Sequence, residues 1–125
     1  MPSARPSLPF RDTQSHLRDI IESIDLIGEF LDSMDFEAYR VDLKTQSAVE
    51  RQLQIITEAA IRLGEEAEAL CPGPDWKGIR GMGNFLRHEY QRIEDKIVWD
   101  TVKHDLPPLK AAVLHALTPP QSNPS

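Results

Sequence analysis

The fold of this chain is indicated most clearly by residues 49–70, which have the sequence VERQLQIITEAAIRLGEEAEAL. Apolar residues recur here at alternating steps of four and three: Val49, Leu53, Ile56, Ala60, Leu63, Ala67 and Leu70. This spacing places them on one stripe of an α-helix that packs nearly parallel to a neighbouring helix. We predict a long helix that begins at Val41 or Asp42, ends at Leu70 and belongs to a helical bundle.

A second amphipathic pattern precedes this helix, over about residues 10–33. Its apolar positions follow the same three- and four-residue steps: Leu17, Ile20, Ile21, Ile24, Ile27 and Leu31. The opposite side is mostly charged, so one face is predicted to be buried and the other exposed. Residues 32–38 interrupt the pattern and separate the first predicted helix from the second.

Two further helices follow the sequence CPGP at residues 71–74, where the prolines end the long helix. Asp75 is a suitable N-cap for a third helix from Trp76 to Tyr90 or Ile93. A fourth helix begins near Glu94, is interrupted or kinked at residues 107–108, which are both proline, and continues to Leu117. Short connections between four such helices predict an all-α, antiparallel four-helix bundle.

The ten prolines also mark the ends of the 125-residue chain. Proline and serine are frequent in residues 1–9 and 118–125, which we predict to be a flexible arm and a flexible tail. The remaining residues, 10–117, are enough for one compact helical domain. The wide proline-free stretches argue against a β-sandwich or barrel, in which turn signals recur every eight to twelve residues.

Composition limits the classes of function. The single cysteine, Cys71, excludes an internal disulfide framework and a multi-cysteine zinc site. No apolar run is long enough to span a bilayer, and residues 1–5 do not resemble a secretory signal, so we expect a soluble cytoplasmic protein without a membrane partner. The net charge of −6 argues against nucleic acid as a partner unless the chain contains a local basic site.

The predicted third helix contains such a site. Its sequence from residue 78 to residue 90 is GIRGMGNFLRHEY, with three glycines in six positions. Each glycine costs about 1 kcal/mol relative to alanine inside a helix, so we interpret them as allowing close approach of a second subunit or a ligand.

A helical projection separates the apolar and polar residues of this segment. The apolar arc contains Ile79, Met82, Leu86, Tyr90 and Ile93. The polar face contains Arg80, Asn84, Arg87, His88 and Gln91. Two cations, an amide and a histidine therefore share one face.

This polar face suits phosphodiester chemistry. His88 can act as a general acid or base, because the unperturbed pKa of histidine is about 6.5. Arg80 or Arg87 can stabilise charge on a phosphoryl oxygen, and Asn84 can orient His88 or bind substrate. The alternative is a solvated polar face with a hydrogen-bonded histidine. Because the other histidines, His16, His104 and His115, have no second ligand at metal spacing, we predict no metal site and no cofactor.

Three blocks of the sequence resemble the HepT-like proteins of the HEPN superfamily, which are small four-helix ribonuclease toxins of prokaryotic toxin–antitoxin pairs. The first block is SAVERQLQIITEAA at residues 47–60, and the second runs from Trp76 to Tyr90. The third comprises IVW at residues 97–99 and DLP at residues 105–107. The resemblance covers most of the chain, from about Arg11 to Leu117.

The resemblance implies a metal-independent endoribonuclease that acts as a homodimer with an RNA cleft between the two third helices. The family motif is an arginine, four to six residues and a histidine, often with a tyrosine two residues later. His88 and Tyr90 match its end, and Asn84 matches the polar residue that follows the motif arginine. The arginine position itself is Gly83 here, so either Arg80 or Arg87 substitutes, or the nuclease is weak or inactive.

The family's usual partner is a small nucleotidyltransferase antitoxin, which adds AMP to the motif tyrosine. Tyr90 is the matching acceptor, although its place on the apolar arc also fits a core tyrosine. We therefore predict a toxin that cleaves RNA, with His88, Arg87, Arg80 and Asn84 as candidate catalytic residues. The alternatives are an inactive binding partner of a nucleotidyltransferase and, with less support, a nucleotide-binding interaction protein.

Overall fold

The computed structural model describes residues 8–87 and 95–117, which form helices and turns without a β-strand. Seven α-helices and one π-helical segment follow one another in these ranges. They are α1 (Leu8–Phe30), α2 (Phe36–Tyr39), α3 (Leu43–Leu63), α4 (Glu65–Leu70), α5 (Trp76–Arg87), α6 (Asp95–Asp100), the π-helical segment (Thr101–Asp105) and α7 (Leu106–Leu117). The predicted all-α class is confirmed. Within these same ranges, no helix has the length and apolar character that crossing a membrane requires.

Helix α3 lies at the centre of the packing. It packs along α1 on one side and against α5 on another, while α1 also packs against α7. Thr13 near the start of α1 donates a hydrogen bond to Glu66, just beyond the end of α3, at 3.0 Å. Helices α1 and α3 therefore run in opposite directions.

The predicted apolar stripes form the core. In α1, Leu17, Ile20, Ile27 and Leu31 of its C-terminal turn are buried, and Ile21 and Ile24 are partly buried. In α3, every member of the predicted stripe from Val49 to Leu63 is buried. The burial of apolar area along this seam, at roughly 25 cal/mol per Å², is the main favourable term in folding.

The prediction of a single helix up to Leu70 is wrong, because the helix is interrupted at Gly64. Gly64 has φ +59° and ψ −143°, a conformation that L-residues rarely adopt, and a separate helix α4 begins at Glu65. Ala67 remains buried after the break, whereas Leu70 is 43% exposed. The apolar spacing continues across Gly64, so the stripe alone does not reveal the break.

The ends of α1 and α3 refine the predicted boundaries. Helix α1 begins at Leu8 and ends at Phe30, against the prediction of about residues 10–33. The interruption that follows contains the short helix α2, which begins after Asp35. The Asp35 carboxylate caps this helix by accepting a hydrogen bond from the Ala38 amide at 2.9 Å. Asp42 caps α3 in the same way, by accepting from the Thr45 amide at 3.0 Å, which confirms the predicted start of the second long helix.

Helix α5 begins as predicted after Asp75. The Asp75 carboxylate accepts a hydrogen bond from the Gly78 amide at 3.0 Å. A Cβ atom on Gly78 would lie 2.3 Å from an Asp75 carboxylate oxygen, so a larger residue here would require the Asp75 side chain to shift. Trp76 is buried, and its indole nitrogen donates to the carbonyl of Cys71 at 2.8 Å, which fixes the loop before the helix.

The predicted fourth helix consists of α6, the π-helical segment and α7. Pro107 and Pro108 occupy the first turn of α7, where amide groups lack helical partners in any case. Their missing N–H groups cannot bond to the carbonyls four residues earlier, Lys103 and His104, and both of these lie in the π-helical segment. The expected irregularity at the prolines is confirmed, and it takes the form of a widened turn before them.

Candidate functional site

Helix α5 carries the described part of the predicted polar face. Arg80, Asn84 and Arg87 are at positions that fall within an arc of about 60° when α5 is projected along its axis. His88 and Gln91, the other two members of this face, lie outside the described residues, as does Tyr90, and the helix is described as far as Arg87. The structure therefore brings three of the five predicted residues onto one helical face and leaves the other two as predictions.

Arg80 is held by an acidic partner that the sequence pattern did not indicate. Its Nη2 atom lies 2.5 Å from Glu68 Oε2, and its Nη1 atom lies 3.3 Å from Glu68 Oε1. Nη1 also donates to the carbonyl oxygen of Gly64 at 3.2 Å. The guanidinium thus joins α5 to α4 and to the break between α3 and α4. Its side chain is only 22% exposed.

The pair shifts the pKa values of both partners. The hydrogen bonds from Arg80 lower the pKa of the Glu68 carboxyl, and those bonds together with the charge of Glu68 raise the pKa of the Arg80 guanidinium. The charge of Glu65 acts on Arg80 in the same direction. Each shift favours the charged form of its group.

The partner helix α4 has three glutamates in its first turn, Glu65, Glu66 and Glu68. Carboxylates are favoured there because the unpaired amides at a helix N-terminus carry partial positive charge. Glu66 accepts the hydrogen bond from Thr13 of α1, while Glu68 binds Arg80 of α5. The acidic turn therefore connects two helices to α4 and makes the surroundings of Arg80 negative.

The apolar side of α5 packs against α3. Ile79 and Leu86 are buried and Met82 is half-buried, which confirms the described part of the predicted apolar arc. The hydroxyl of the buried Thr57 in α3 donates to the Ile79 carbonyl at 3.1 Å. This bond, between residues 22 positions apart, could not be foreseen from the periodicity of either helix. Tyr90 and Ile93, the other members of the arc, lie outside the described residues.

The glycines of α5 differ in their surroundings. Gly78 lies close to the Asp75 carboxylate, whereas Gly81 is exposed and a Cβ atom added there would meet nothing within 4 Å. Gly83, at the position of the family's motif arginine, is buried. Gly28 of α1 has the same open surroundings as Gly81, so the close approach of a second subunit or a ligand at α5 stays a prediction.

A cavity of about 460 Å³ opens between the start of α5 and the π-helical segment. Gly78 and Met82 of α5 line one wall, and Thr101 and Asp105 line another. On the helical projection, these two α5 positions lie on roughly the opposite side of the helix from Arg80. The cavity is therefore separate from the predicted catalytic face.

The remaining reactive side chains offer little chemistry. Cys71 is buried, and burial raises the pKa of its thiol, which disfavours the nucleophilic thiolate. In the ranges 8–87 and 95–117, no group of three histidine, cysteine or carboxylate side chains is placed to hold a metal ion. The polar face of α5 therefore remains the candidate site.

Comparison with known proteins identifies the family. The family model described as "Ribonuclease HepT-like" matches residues 20–116, a range that includes every candidate site residue. The protein "Probable ribonuclease HepT" of Thermococcus cleftensis is 39% identical over 100 residues, which cover 80% of this chain and 91% of that protein.

Two proteins of Methanocaldococcus jannaschii are also similar. "Putative RNase MJ0127" is 36% identical over 80% of this chain and 83% of its own length. "Putative RNase MJ1380" is 33% identical over 82% of this chain and 94% of its own length. No solved structure matches the chain. The resemblance inferred from the three sequence blocks is thus confirmed, and the chain belongs to the ribonuclease HepT-like family.

Proposed function

We propose that the chain is an endoribonuclease that cleaves RNA without a metal cofactor, at a cleft formed by the α5 helices of a homodimer. The observation that carries the proposal is the shared face of Arg80, Asn84 and Arg87 on α5, which is followed directly in the sequence by His88. Membership in a ribonuclease family supports RNA as the substrate. Arg87 supplies the local cation that the net charge of −6 makes necessary for RNA binding.

The proposed reaction is an internal transesterification. The 2′-hydroxyl of the RNA attacks the neighbouring phosphorus, the bond from phosphorus to the 5′-oxygen breaks, and a 2′,3′-cyclic phosphate and a 5′-hydroxyl are formed. His88 takes the proton from the 2′-hydroxyl or delivers one to the leaving oxygen. A guanidinium beside the phosphate stabilises the charge that develops on its oxygens.

Arg87 is the cation that best fits this role. It lies one helical turn after Gly83, the position of the family's motif arginine, on nearly the same face of α5. It is also adjacent to His88 in the sequence. Arg80, in contrast, already binds Glu68 and the Gly64 carbonyl.

Regulation by a nucleotidyltransferase antitoxin completes the proposal. Such a partner would add AMP to Tyr90, two residues after His88. The added phosphate places negative charge beside Arg87 and His88, and this charge repels the RNA backbone. The chain would then be the toxin of a toxin–antitoxin pair in the cytoplasm.

A chimeric oligonucleotide tests the reaction. The purified chain is incubated in EDTA with a DNA oligonucleotide that contains a short internal RNA segment, and with the same oligonucleotide carrying 2′-deoxy sugars throughout. We expect cleavage of the first substrate alone, with cyclic phosphate and 5′-hydroxyl ends. Cleavage of the all-deoxy substrate, or 5′-phosphate ends, would contradict attack by the 2′-hydroxyl.

A non-catalytic partner of a nucleotidyltransferase is the second candidate function, and Gly83 favours it because the motif arginine is missing. The variant Gly83→Arg restores that residue, and Gly83→Ala controls for adding a side chain at a buried position. Cleavage by Gly83→Arg together with none by the parent chain or by Gly83→Ala would support the non-catalytic function. Cleavage by the parent chain would exclude it.

A further inference from the structure

We propose that Arg80 is a positioning residue that fixes α5 against α4 and does not bind the RNA phosphate, so that phosphate binding on this helix begins at Arg87. This inference rests on the proposed function, because it assigns separate roles to the two arginines of the same polar face. It is carried by the contacts of Arg80 and by the charges around it.

The contacts of Arg80 use most of its hydrogen-bonding capacity. A guanidinium has five N–H donors, and three contacts are already made, to both carboxylate oxygens of Glu68 and to the Gly64 carbonyl. The planar fork suits two carboxylate oxygens at once, a geometry that lysine cannot reproduce. Arg80 is therefore engaged before any substrate arrives.

The contact with the Gly64 carbonyl joins Arg80 to the junction between α3 and α4. Gly64 is the residue at which α3 ends and α4 begins, and its carbonyl also accepts from the Ala67 amide at 3.0 Å. Arg80 thus connects α5 to the point where the chain changes direction. Two adjacent residues therefore fix the first half of α5. The Ile79 carbonyl accepts a hydrogen bond from Thr57 of α3, and Arg80 binds Glu68 and the Gly64 carbonyl.

The local charge makes Arg80 a poor phosphate ligand. A phosphate at its guanidinium would displace Glu68 and meet the negative charge of Glu65, which also acts on Arg80. Arg87 lies seven residues farther along, or about 10 Å at 1.5 Å per residue. This separation along the helix is similar to the Debye length of about 8 Å at physiological ionic strength, so Glu68 repels a phosphate near Arg87 less than one at Arg80.

Reversal of the ion pair tests the inference. The variants are Arg80→Glu, Glu68→Arg and the double variant that carries both changes, which has the same net charge as the parent chain. Arg62→Glu is the matched control, since Arg62 is exposed on α3 and forms no ion pair among the described residues. The readouts are the melting temperature, kcat/KM for RNA, and the dependence of RNA affinity on salt concentration.

We expect each single reversal to lower the melting temperature by several degrees and kcat/KM by tenfold or more, because like charges then face each other between α4 and α5. The double variant is expected to recover most of both losses. Its logarithmic salt slope should equal that of the parent chain, whereas Arg87→Ala should reduce the slope by about 0.7 to 0.9. Arg62→Glu should change the melting temperature little.

Two results would overturn the inference. A double variant that regains its melting temperature but has a salt slope reduced by about 0.7 to 0.9 would show that Arg80 binds phosphate. A double variant as unstable as either single variant would show that Arg80 and Glu68 do not position α5. The melting temperatures do not depend on RNA, so a parent chain that neither binds nor cleaves RNA would refute the proposed function separately from the ion pair.

Discussion

Tyr39 is fully buried, and its hydroxyl has no hydrogen-bond partner among the side chains and backbone groups that the structure describes. Burial raises the pKa of this phenol, and the charges of Glu50 and Asp95 raise it further. The surroundings therefore favour the neutral phenol strongly over the phenolate. Trp99 lies beside the ring, with 5.4 Å between the two ring centroids, so the phenol is held by ring packing.

This pKa shift predicts a loss of stability at alkaline pH. Above pH 10, the ordinary pKa of tyrosine, the phenol ionises in the unfolded chain but stays neutral in the folded chain, so the free energy of unfolding falls as the pH rises. At pH 11 the effect is about 1 kcal/mol. We expect Tyr39→Phe to show a smaller fall than the parent chain between pH 8 and pH 11, measured by denaturant unfolding. Equal falls in the two proteins would contradict this.

Among the helical elements, the junction between α3 and α4 is formed by one residue, Gly64, which changes the direction of the chain. Gly64 has a positive φ, and a Cβ atom added there would meet nothing within 4 Å. Glycine is therefore favoured at position 64 by the backbone conformation and not by a lack of space for a side chain. The turn that it makes places Glu66 beside α1 and Glu68 beside α5.

Two glycine-to-alanine variants separate conformational strain from helix propensity. Gly64→Ala should lower the free energy of unfolding by about 1 to 2 kcal/mol, because alanine is strained at positive φ. Gly81→Ala, in the regular helix α5 and also in open space, should raise it by about 0.5 to 1 kcal/mol. Denaturant unfolding at neutral pH measures both. The same sign of change in both variants would contradict the assigned backbone roles.

At the scale of the whole molecule, Arg80 and Arg87 occupy positions on one face of α5 in a chain whose net charge is −6. The proposed cleft requires two copies of α5. We therefore expect light scattering to give twice the chain mass of 14.2 kDa at micromolar concentration. A monomer at the concentrations at which RNA is cleaved would contradict the shared cleft.

Much of the fold could be predicted because its signals are local. The prolines after Cys71, the Asp75 cap and the apolar stripe from Val49 to Leu63 each act within a few residues, and the structure confirms them. The break at Gly64 escaped prediction because the apolar spacing continues through it. The candidate residues of α5 could be grouped on one face from helical geometry alone.

The pairing of Arg80 with Glu68 could not be predicted in the same way. The two residues are 12 positions apart, on different helices, and meet only because the chain turns between Leu70 and Trp76. A projection of α5 shows where Arg80 points relative to its own helix but not what lies opposite. The sequence therefore grouped Arg80 with Arg87 as a candidate catalytic cation, and only tertiary contacts distinguish the two.

The central claim is that His88 transfers the proton in RNA cleavage, and the cleavage rate of His88→Ala in EDTA tests it most directly. The matched control is His115→Ala, because His115 is an exposed histidine on α7. We expect the parent chain and His115→Ala to cleave RNA at similar rates, and His88→Ala to be slower by 10² to 10⁴-fold. Equal cleavage by His88→Ala and the parent chain would contradict the account.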